Sequence, residues 1–236
     1  NLSGKYMLLA DINLGSDWIP LATYGWAHSL QDDRPANPFR GVLDGQGHTI
    51  SYSTYIDNLN KDNDYGWGLF GTAKDASFFN IKLKASIKSY DYTVKKVSAF
   101  EVCVGGLVGL AENCKFESCE TLSDSSITNM DTDRAYYVFL VGMKDTGATY
   151  AGGLVGDARG CQFKNCSNRA TVSSRGYQAY SGGIVGNNYN CKFEGENANY
   201  SSVSASHGEW VWGIHGQGEI YGKIGEPWKR SDGGKI

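Results

Sequence analysis

The sequence has little proline, little net charge and no long apolar run. It holds only four prolines, and its net charge of −3 arises from interspersed charges, without the basic patch that nucleic-acid binding requires. Its longest uncharged apolar run, residues 136–143, is far too short to span a bilayer. No segment repeats apolar residues at helical spacing between capping residues. These absences favour an all-β chain with no nucleic-acid partner and no membrane span.

The signatures of common catalytic and metal sites are also missing. The only histidines are His28, His48, His207 and His215, and none has the H-E-x-x-H spacing of a metallopeptidase. No Gly-x-Ser-x-Gly elbow and no phosphate-binding glycine loop occurs. We therefore predict no catalytic residue, no metal and no cofactor, and we expect a protein that is not an enzyme.

Glycine, by contrast, is abundant, and many of its 31 residues recur in a fixed signature. The segment Gly105-Gly-Leu-Val-Gly109 is repeated letter for letter at 152–156, and residues 182–186 differ only by Ile in place of Leu. Residues 68–71 and 213–216 are degenerate copies. A signature that returns every few tens of residues is typical of a protein built from stacked repeats.

Other residues keep the same register in each copy. The reference glycines are 38, 47, 30 and 30 residues apart: Gly68, Gly106, Gly153, Gly183 and Gly213. Ten positions later, four copies have a phenylalanine: Phe78, Phe116, Phe163 and Phe193. Two more columns, eight and thirteen positions on, hold Ala76, Cys114, Cys161 and Cys191, and Ile81, Cys119, Cys166 and Glu196. The spacing predicts a unit of about 30 residues with insertions near 84–104 and 120–150.

Alternation within each unit predicts strands. In segments such as Cys161-Gln-Phe163, apolar residues alternate with polar ones, as expected of a strand with one buried face. Glycine, Asn, Asp and Ser supply the corners. Three short strands per unit, each stacked on its equivalent, predict a right-handed parallel β-helix (a β-solenoid) of about 30-residue rungs with loop insertions. We expect one domain over 1–236, with capping rungs over 1–60, repeats over 61–220 and a polar tail over 221–236.

The six cysteines fit this stacking better than they fit a disulfide framework or a zinc site. Five of them occupy columns that hold Ala76 and Ile81 in the first copy. A zinc site requires shorter ligand spacing and would not share its columns with Ala and Ile. Because free cysteine behaves as a small buried hydrophobe, we interpret these residues as inner ladder positions.

The N-terminal segments and the repeats together resemble a known family. Residues 6–14, 18–21, 39–50 and 68–71 are similar to the N-terminal part of GLUG-repeat domains, and the Gly-Gly-Leu-Val-Gly copies with their downstream Cys-x-Phe-x-x-Cys resemble the GLUG repeats themselves. The resemblance covers roughly residues 1–216. Such repeats occur in large bacterial surface proteins, in adhesins and in the non-catalytic regions of IgA-cleaving metallopeptidases.

The resemblance implies a non-catalytic adhesin or stalk module, located outside the cell or at the surface of a bacterium. Its implied partners are a host surface glycan or protein, or other domains of a larger surface protein. The chain starts without Met and without a signal peptide, as we expect of a mature or excised segment.

The long insertions do not belong to the repeat pattern, and we predict that they carry the binding function. They and their surroundings are rich in tyrosine, whose exposed rings can stack on sugars. The predicted ligand-binding residues are Tyr90, Tyr92, Tyr136, Tyr137 and Tyr177. A further aromatic column, Tyr65, Tyr150, Tyr180 and Trp210, is open to two interpretations. Facing inward it would be core packing, and facing outward it would form a groove.

Two alternatives to an adhesin or stalk remain open at this point. A carbohydrate-active β-helix enzyme, a polysaccharide lyase or hydrolase, needs acids that converge in a groove. Its candidate carboxylates are Asp62, Asp64, Asp131, Asp133 and Asp145, which we interpret as solvated loop acids. A dedicated glycan-binding module needs exposed coplanar aromatic rings instead. The alternating oxygen ligands of residues 58–64 also suggest weak calcium binding, but they lack the Gly and the bidentate Glu of an EF-hand loop.

Overall fold

The chain is all-β wherever its structure is described. A computed structural model describes residues 2–22, 37–57, 66–91, 102–131, 148–176, 179–206 and 210–212. These ranges contain no helix, and so none that is long and apolar enough to cross a membrane.

The strands, in chain order, are β1 (Lys5–Met7), β2 (Ile12–Asn13), β3 (Val42–Asp44), β4 (Thr49–Asp57), β5 (Gly66–Trp67), β6 (Phe70–Lys74), β7 (Ser77–Phe79), β8 (Lys82–Asp91), β9 (Val102–Gly105), β10 (Val108–Glu112), β11 (Lys115–Glu117), β12 (Glu120–Thr121), β13 (Ser126–Asp131), β14 (Thr149–Gly152), β15 (Val155–Arg159), β16 (Gln162–Lys164), β17 (Ser167–Asn168), β18 (Thr171–Arg175), β19 (Ala179–Gly182), β20 (Val185–Tyr189), β21 (Lys192–Glu194), β22 (Ala198–Asn199), β23 (Val203–Ser206) and β24 (Trp210–Trp212).

Four sheets arise because each strand pairs with its equivalent in the next repeat, always in the parallel sense. Sheet A contains β1, β3, β7, β11, β16 and β21, and sheet C contains β6, β10, β15 and β20. Sheet D contains β5, β9, β14, β19 and β24. Sheet B contains β2, β4, β8, β12, β13, β17, β18, β22 and β23. From β6 onward the chain passes through sheets C, A, B and D in that order, repeat after repeat, which is consistent with a β-helix.

Like residues stack on like inside the sheets, as the sequence columns predict. The rings of Phe78, Phe116, Phe163 and Phe193 form a ladder with centroids 5.0, 4.8 and 5.1 Å apart and planes within 12° of parallel. All six cysteines are buried, and five of them lie in the main apolar core. The interpretation of these cysteines as inner ladder positions is therefore confirmed.

The prediction of three strands per unit is wrong, because each repeat visits four sheets. The glycine signature is the reason. At this signature the chain changes sheet, because Gly106 and Leu107 separate β9 in sheet D from β10 in sheet C. A Cβ on Gly156 would lie 2.6 Å from the Val104 nitrogen, so the backbones of sheets C and D touch directly at these positions.

The predicted insertions are shorter than their intervals suggest. Residues 84–91 belong to β8, and most of residues 120–131 belong to β12 and β13, which pair in register with the neighbouring repeats. Residues 102–104 belong to β9 and residues 149–150 to β14, whereas 92–101, 132–147 and the tail over 221–236 lie outside the described residues.

Candidate functional site at the insertion corner

From β4 onward, the largest differences in repeat length fall at one corner of the cross-section, between the end of a sheet B strand and the start of the next sheet D strand. We call this the insertion corner. Its connections are residues 58–65, 92–101, 132–148, 176–178 and 207–209. The connections from sheet D to sheet C and from sheet C to sheet A, in contrast, have two residues in every copy. The two longest connections start from neighbouring strands, β8 and β13, because Asp91 and Asp131 are direct partners in the sheet.

One buried side chain joins the roots of both long connections. The Asn129 Nδ2 donates to the carbonyl oxygens of Val102 at 2.9 Å and Tyr150 at 3.0 Å. Its Oδ1 accepts from the Ser89 hydroxyl at 2.8 Å. Ser89 and Val102 flank the 92–101 connection, whereas Asn129 itself and Tyr150 flank the 132–148 connection. Because buried polar groups are held firmly once all their hydrogen bonds are made, this amide fixes the four roots relative to one another.

The next repeat closes the same corner in a simpler way. Ser174 takes the position of Asn129 in the register of sheet B. Its hydroxyl lies 2.8 Å from the hydroxyl of Ser181 on β19, and both residues are buried. Only the three residues 176–178 separate β18 from β19. A single hydroxyl pair is thus sufficient where the connection is short, and an amide with three partners stands where the connections are long.

The open question about the tyrosine column is answered for two of its members. Tyr150 and Tyr180 are only 5% and 8% exposed, and their ring centroids lie 5.3 Å apart. They pack with Cys103, Leu110 and Ala148 in an apolar cluster separate from the main core. The side chains of these two residues are therefore buried in this cluster and do not form an outward groove. Tyr65 and the side chain of Trp210 lie outside the described residues.

A buried carboxylate lies on β15. Asp157 on β15 is fully buried, and its Oδ2 accepts from Arg159 Nη2 at 2.6 Å and Nε at 3.0 Å. Its Oδ1 accepts from Asn187 Nδ2 at 2.8 Å. A charge-assisted network of this kind is a structural clamp between β15 and β20, since a buried carboxylate must be paired.

Sequence reasoning missed both Asn129 and Asp157. The signal for Asp157 was present, because its register partners Leu110 and Asn187 are neutral and an Arg follows two positions later. No equivalent signal marked Asn129, whose register partners are serines.

By their place in the chain, four of the predicted binding tyrosines belong to the insertion corner and the fifth, Tyr90, lies near the end of β8. The backbone of Tyr90 lies near the end of β8, where it pairs with Asp57 and Met130. Its side chain and all of Tyr92, Tyr136, Tyr137 and Tyr177 lie outside the described residues. Their role in binding therefore stays a prediction.

Most of the alternative enzyme and calcium residues are not described either. The backbone of Asp131 ends β13, whereas Asp62, Asp64, Asp133 and Asp145 lie outside the described ranges, together with Asn58 and Asn60. Among the residues that are described, no group of His, Cys, Asp and Glu side chains could hold a metal ion.

The cysteine columns are shielded from chemistry by burial. Burial is the main cause that raises the pKa of the Cys161 thiol well above its usual range, and contacts with Cys114 and Cys191 raise it further. Burial and Cys166 act in the same direction on the pKa of Cys119. Because the thiolate is the reactive form, these thiols are protonated and unreactive at neutral pH.

Comparison with known proteins gives one structural relative. No protein-family model matches the chain, and no curated protein matches it in sequence. The chain is similar to the crystal structure of a "putative immunoglobulin A1 protease" from Bacteroides ovatus, with a TM-score of 0.53 and 16% sequence identity. The similarity covers 90% of this chain and 65% of that one. At this identity the likeness concerns the fold alone.

Proposed function

We propose that the chain is a right-handed parallel β-helix of the GLUG-repeat type. The constant order of the sheets, the parallel register and the stacked phenylalanines support this architecture. Right-handed crossovers are the strong preference for parallel strands, and this preference gives the hand. The fold shared with the Bacteroides protein agrees with the same family, whose repeats occur in IgA-cleaving peptidases.

We propose further that the module is a non-catalytic adhesin or stalk element of a bacterial surface or secreted protein. The observation that supports this function is the insertion corner. From β4 onward the repeats lengthen mainly there, and a buried amide holds the roots of the two longest connections of this corner together. Rigid scaffolds that present variable connections commonly use those connections to bind partners.

The partner we propose is a host surface glycan or glycoprotein. The tyrosines of the 92–101 and 132–147 segments supply rings that can stack on sugars, and their neighbouring polar residues can bind hydroxyl groups. Because the structural relative carries the name of an immunoglobulin A1 protease, immunoglobulin A1 is the first host glycoprotein to test.

The test is binding of the purified chain to a glycan array and to immobilised immunoglobulin A1. Its key variant replaces residues 131–148 by a three-residue linker, the length that naturally joins β18 to β19. The two repeats are in register on both sides of this replacement, so the variant keeps every strand and loses only the pair between Asp131 and Asp91. A second variant shortens residues 91–101 in the same way.

We expect the full chain to bind and the folded shortened variants to lose binding. Undiminished binding by both shortened variants would exclude the insertion corner as the binding site. Cleavage of immunoglobulin A1 or of a polysaccharide by the purified chain would contradict a non-catalytic role.

A further inference from the structure

The outer faces of the sheets differ in how their charges are arranged. On sheet A, Lys164 lies in register between Glu117 and Glu194, and its Nζ is 2.8 Å from a carboxylate oxygen of Glu117. On sheet C, Lys74 pairs with its register partner Glu112 at 2.9 Å. Both faces therefore place a cation beside an acid from one repeat to the next, so that these charges largely cancel.

Sheet B gathers cations on its outer face. In β8, buried residues at odd positions alternate with exposed residues at even positions, so that Lys82, Lys84 and Lys88 point outward. Arg169 and Arg175 are exposed on the same face two repeats further on. The stacking of repeats thus brings together cations that are far apart in the sequence. We call the outward residues of this region the basic face: Lys82, Lys84, Ser86, Lys88, Ser126, Thr128, Arg169, Thr171, Ser173 and Arg175.

The register neighbours of the cations on the basic face are mostly not acidic. Lys88 lies between Tyr55 and Thr128, and Arg175 lies between Met130 and a serine. The alternation of opposite charges that balances sheets A and C is therefore missing at these positions.

Two acids lie in the same region, and both are close to the start of β8. Glu120 is the register partner of Lys82, and Asp124 forms an ion pair with Lys84. Among the outward side chains that the structure describes in these three repeats, no other is acidic. The basic face therefore carries a small excess of positive charge. A small excess suits a partner with widely spaced acid groups better than it suits the dense phosphates of a nucleic acid.

Hydroxyl side chains fill the space between the cations. Ser86, Ser126 and Thr171 are register partners in one row across the strands. Thr128 and Ser173 are partners in the next row, where the Ser173 hydroxyl donates to Thr128 Oγ1 at 3.2 Å. A hydroxyl group can both donate and accept a hydrogen bond. These rows therefore complement a partner that itself carries many hydroxyl groups, as a polysaccharide does.

An exposed tyrosine lies on each side of the basic face, next to a cation. Tyr55 on β4 is 54% exposed and is the register partner of Lys88. Tyr200 is 63% exposed, and the Cζ of Arg169 lies 4.4 Å from the centroid of its ring. An exposed ring can pack on the apolar side of a sugar while the cation beside it pairs with an acid group. Four strand spacings separate the two tyrosines, about 19 Å across the sheet.

We propose that the basic face binds a linear acidic polysaccharide that runs across the strands of sheet B. Lys88, Arg169 and Arg175 pair with its carboxylate or sulfate groups, and the rows of serine and threonine bind its hydroxyl groups. Tyr55 and Tyr200 pack against sugar rings at the two sides. This surface consists of strand residues in the inner repeats, so it is a second binding surface that does not require the connections of the insertion corner.

Surface plasmon resonance with immobilised chondroitin sulfate, a linear polysaccharide with carboxylate and sulfate groups, tests this proposal on the full chain. We expect saturable binding that weakens as the salt concentration rises. The double variant Arg169→Gln/Arg175→Gln should raise the Kd at least about tenfold, because it removes two charge-assisted contacts. Tyr200→Ala, which leaves the net charge unchanged, should raise the Kd at least about threefold.

The matched control is Lys164→Gln/Lys192→Gln, which removes the same charge from exposed positions on sheet A. We expect it to change the Kd less than about twofold. The variant with residues 131–148 replaced should bind chondroitin sulfate as the full chain does. Circular dichroism confirms that each variant is folded.

Four results would overturn the proposal. The first is no binding of chondroitin sulfate by the full chain, and the second is an equal loss of affinity in the sheet A control. The third is lost binding in the folded 131–148 variant, which would move the site to the insertion corner. The fourth is equally tight binding of a single-stranded DNA oligonucleotide, which would show attraction to any polyanion.

Discussion

At the scale of single residues, stability rests on identical side chains placed above one another. Phe163 illustrates this, because its ring stacks between Phe116 and Phe193 with interplanar angles of 4° and 12°. Stacked aromatic pairs contribute about 0.5–1.5 kcal/mol beyond the burial of their surface. Each inner residue therefore stabilises two neighbouring repeats at once.

Phe163→Ala should lower the free energy of unfolding by about 3–5 kcal/mol, because it opens a cavity in a fully buried ladder. Urea denaturation followed by circular dichroism measures this change. Phe79→Ala serves as the control, since Phe79 is the outward neighbour of a ladder residue and is only partly buried. If both variants lost the same free energy of unfolding, Phe163 would contribute no more to the core than a partly buried residue does.

The buried thiols give a second test at this scale. Cys161 should resist alkylation by iodoacetamide in the folded protein and react readily in urea, because burial raises its pKa and excludes the reagent. Mass spectrometry of the modified peptides measures the extent of alkylation at Cys161. Rapid labelling of Cys161 under native conditions would show that its column faces solvent.

Residue columns of this kind were predictable from the sequence. Stacked repeats force Phe78, Phe116, Phe163 and Phe193 into equal environments, so that a shared position in the sequence becomes a shared position in space. The packing direction of Tyr150 and Tyr180 was not predictable. It depends on contacts with Leu110 and Ala148 across a second, smaller cluster, and strand alternation alone does not specify which side of a sheet is covered.

At the scale of elements, the close approach of sheets C and D defines the cross-section. Gly156→Ala should destabilise the protein by about 2–3 kcal/mol, because the new Cβ would lie 2.6 Å from the Val104 nitrogen and 2.7 Å from the Gly109 carbonyl oxygen. Thermal and urea denaturation measure the loss.

Gly15→Asn is the matched control for this substitution. Gly15 has a φ of +78° and open space around it, and Asn tolerates that conformation. We expect a change within about 0.5 kcal/mol. A Gly156→Ala variant as stable as this control would mean that the two backbones do not touch.

The second feature at the scale of elements is the joint at the insertion corner, which consists of Asn129 and its hydrogen bonds to Ser89, Val102 and Tyr150. Asn129→Leu should cost about 3 kcal/mol, because it removes the three hydrogen bonds by which the buried amide joins Ser89, Val102 and Tyr150. Ser173→Ala on the outer face of β18 should change stability by less than about 0.5 kcal/mol. Similar stabilities for the two variants would contradict the role assigned to Asn129.

Sequence reasoning located the insertions but not the joint beneath them. The irregular spacing of Gly68, Gly106 and Gly153 was sufficient to detect extra chain. The joint depends on contacts between Asn129 and residues 27 and 21 positions away. In the other repeats that column holds residues such as Ser89 and Ser174, so the amide leaves no repeated pattern.

At the scale of the whole molecule, regular stacking and irregular connections have separate tasks. Four sheets grow by adding equivalent strands, and each new rung covers the apolar side chains of the one before. From β4 onward most of the variation in length falls at the insertion corner, where the chain can extend without disturbing the core.

We propose that the two long connections act together as one binding surface. The most direct measurement is the affinity for the bound glycan or glycoprotein of four chains: the full chain, the two single shortened variants, and the variant with both connections shortened. We predict that each single variant loses affinity at least about tenfold. The loss of affinity in the double variant should be much smaller than the product of the two single losses. Unchanged affinity in the folded double variant, or the absence of any partner for the full chain, would show that the two connections do not form a binding surface.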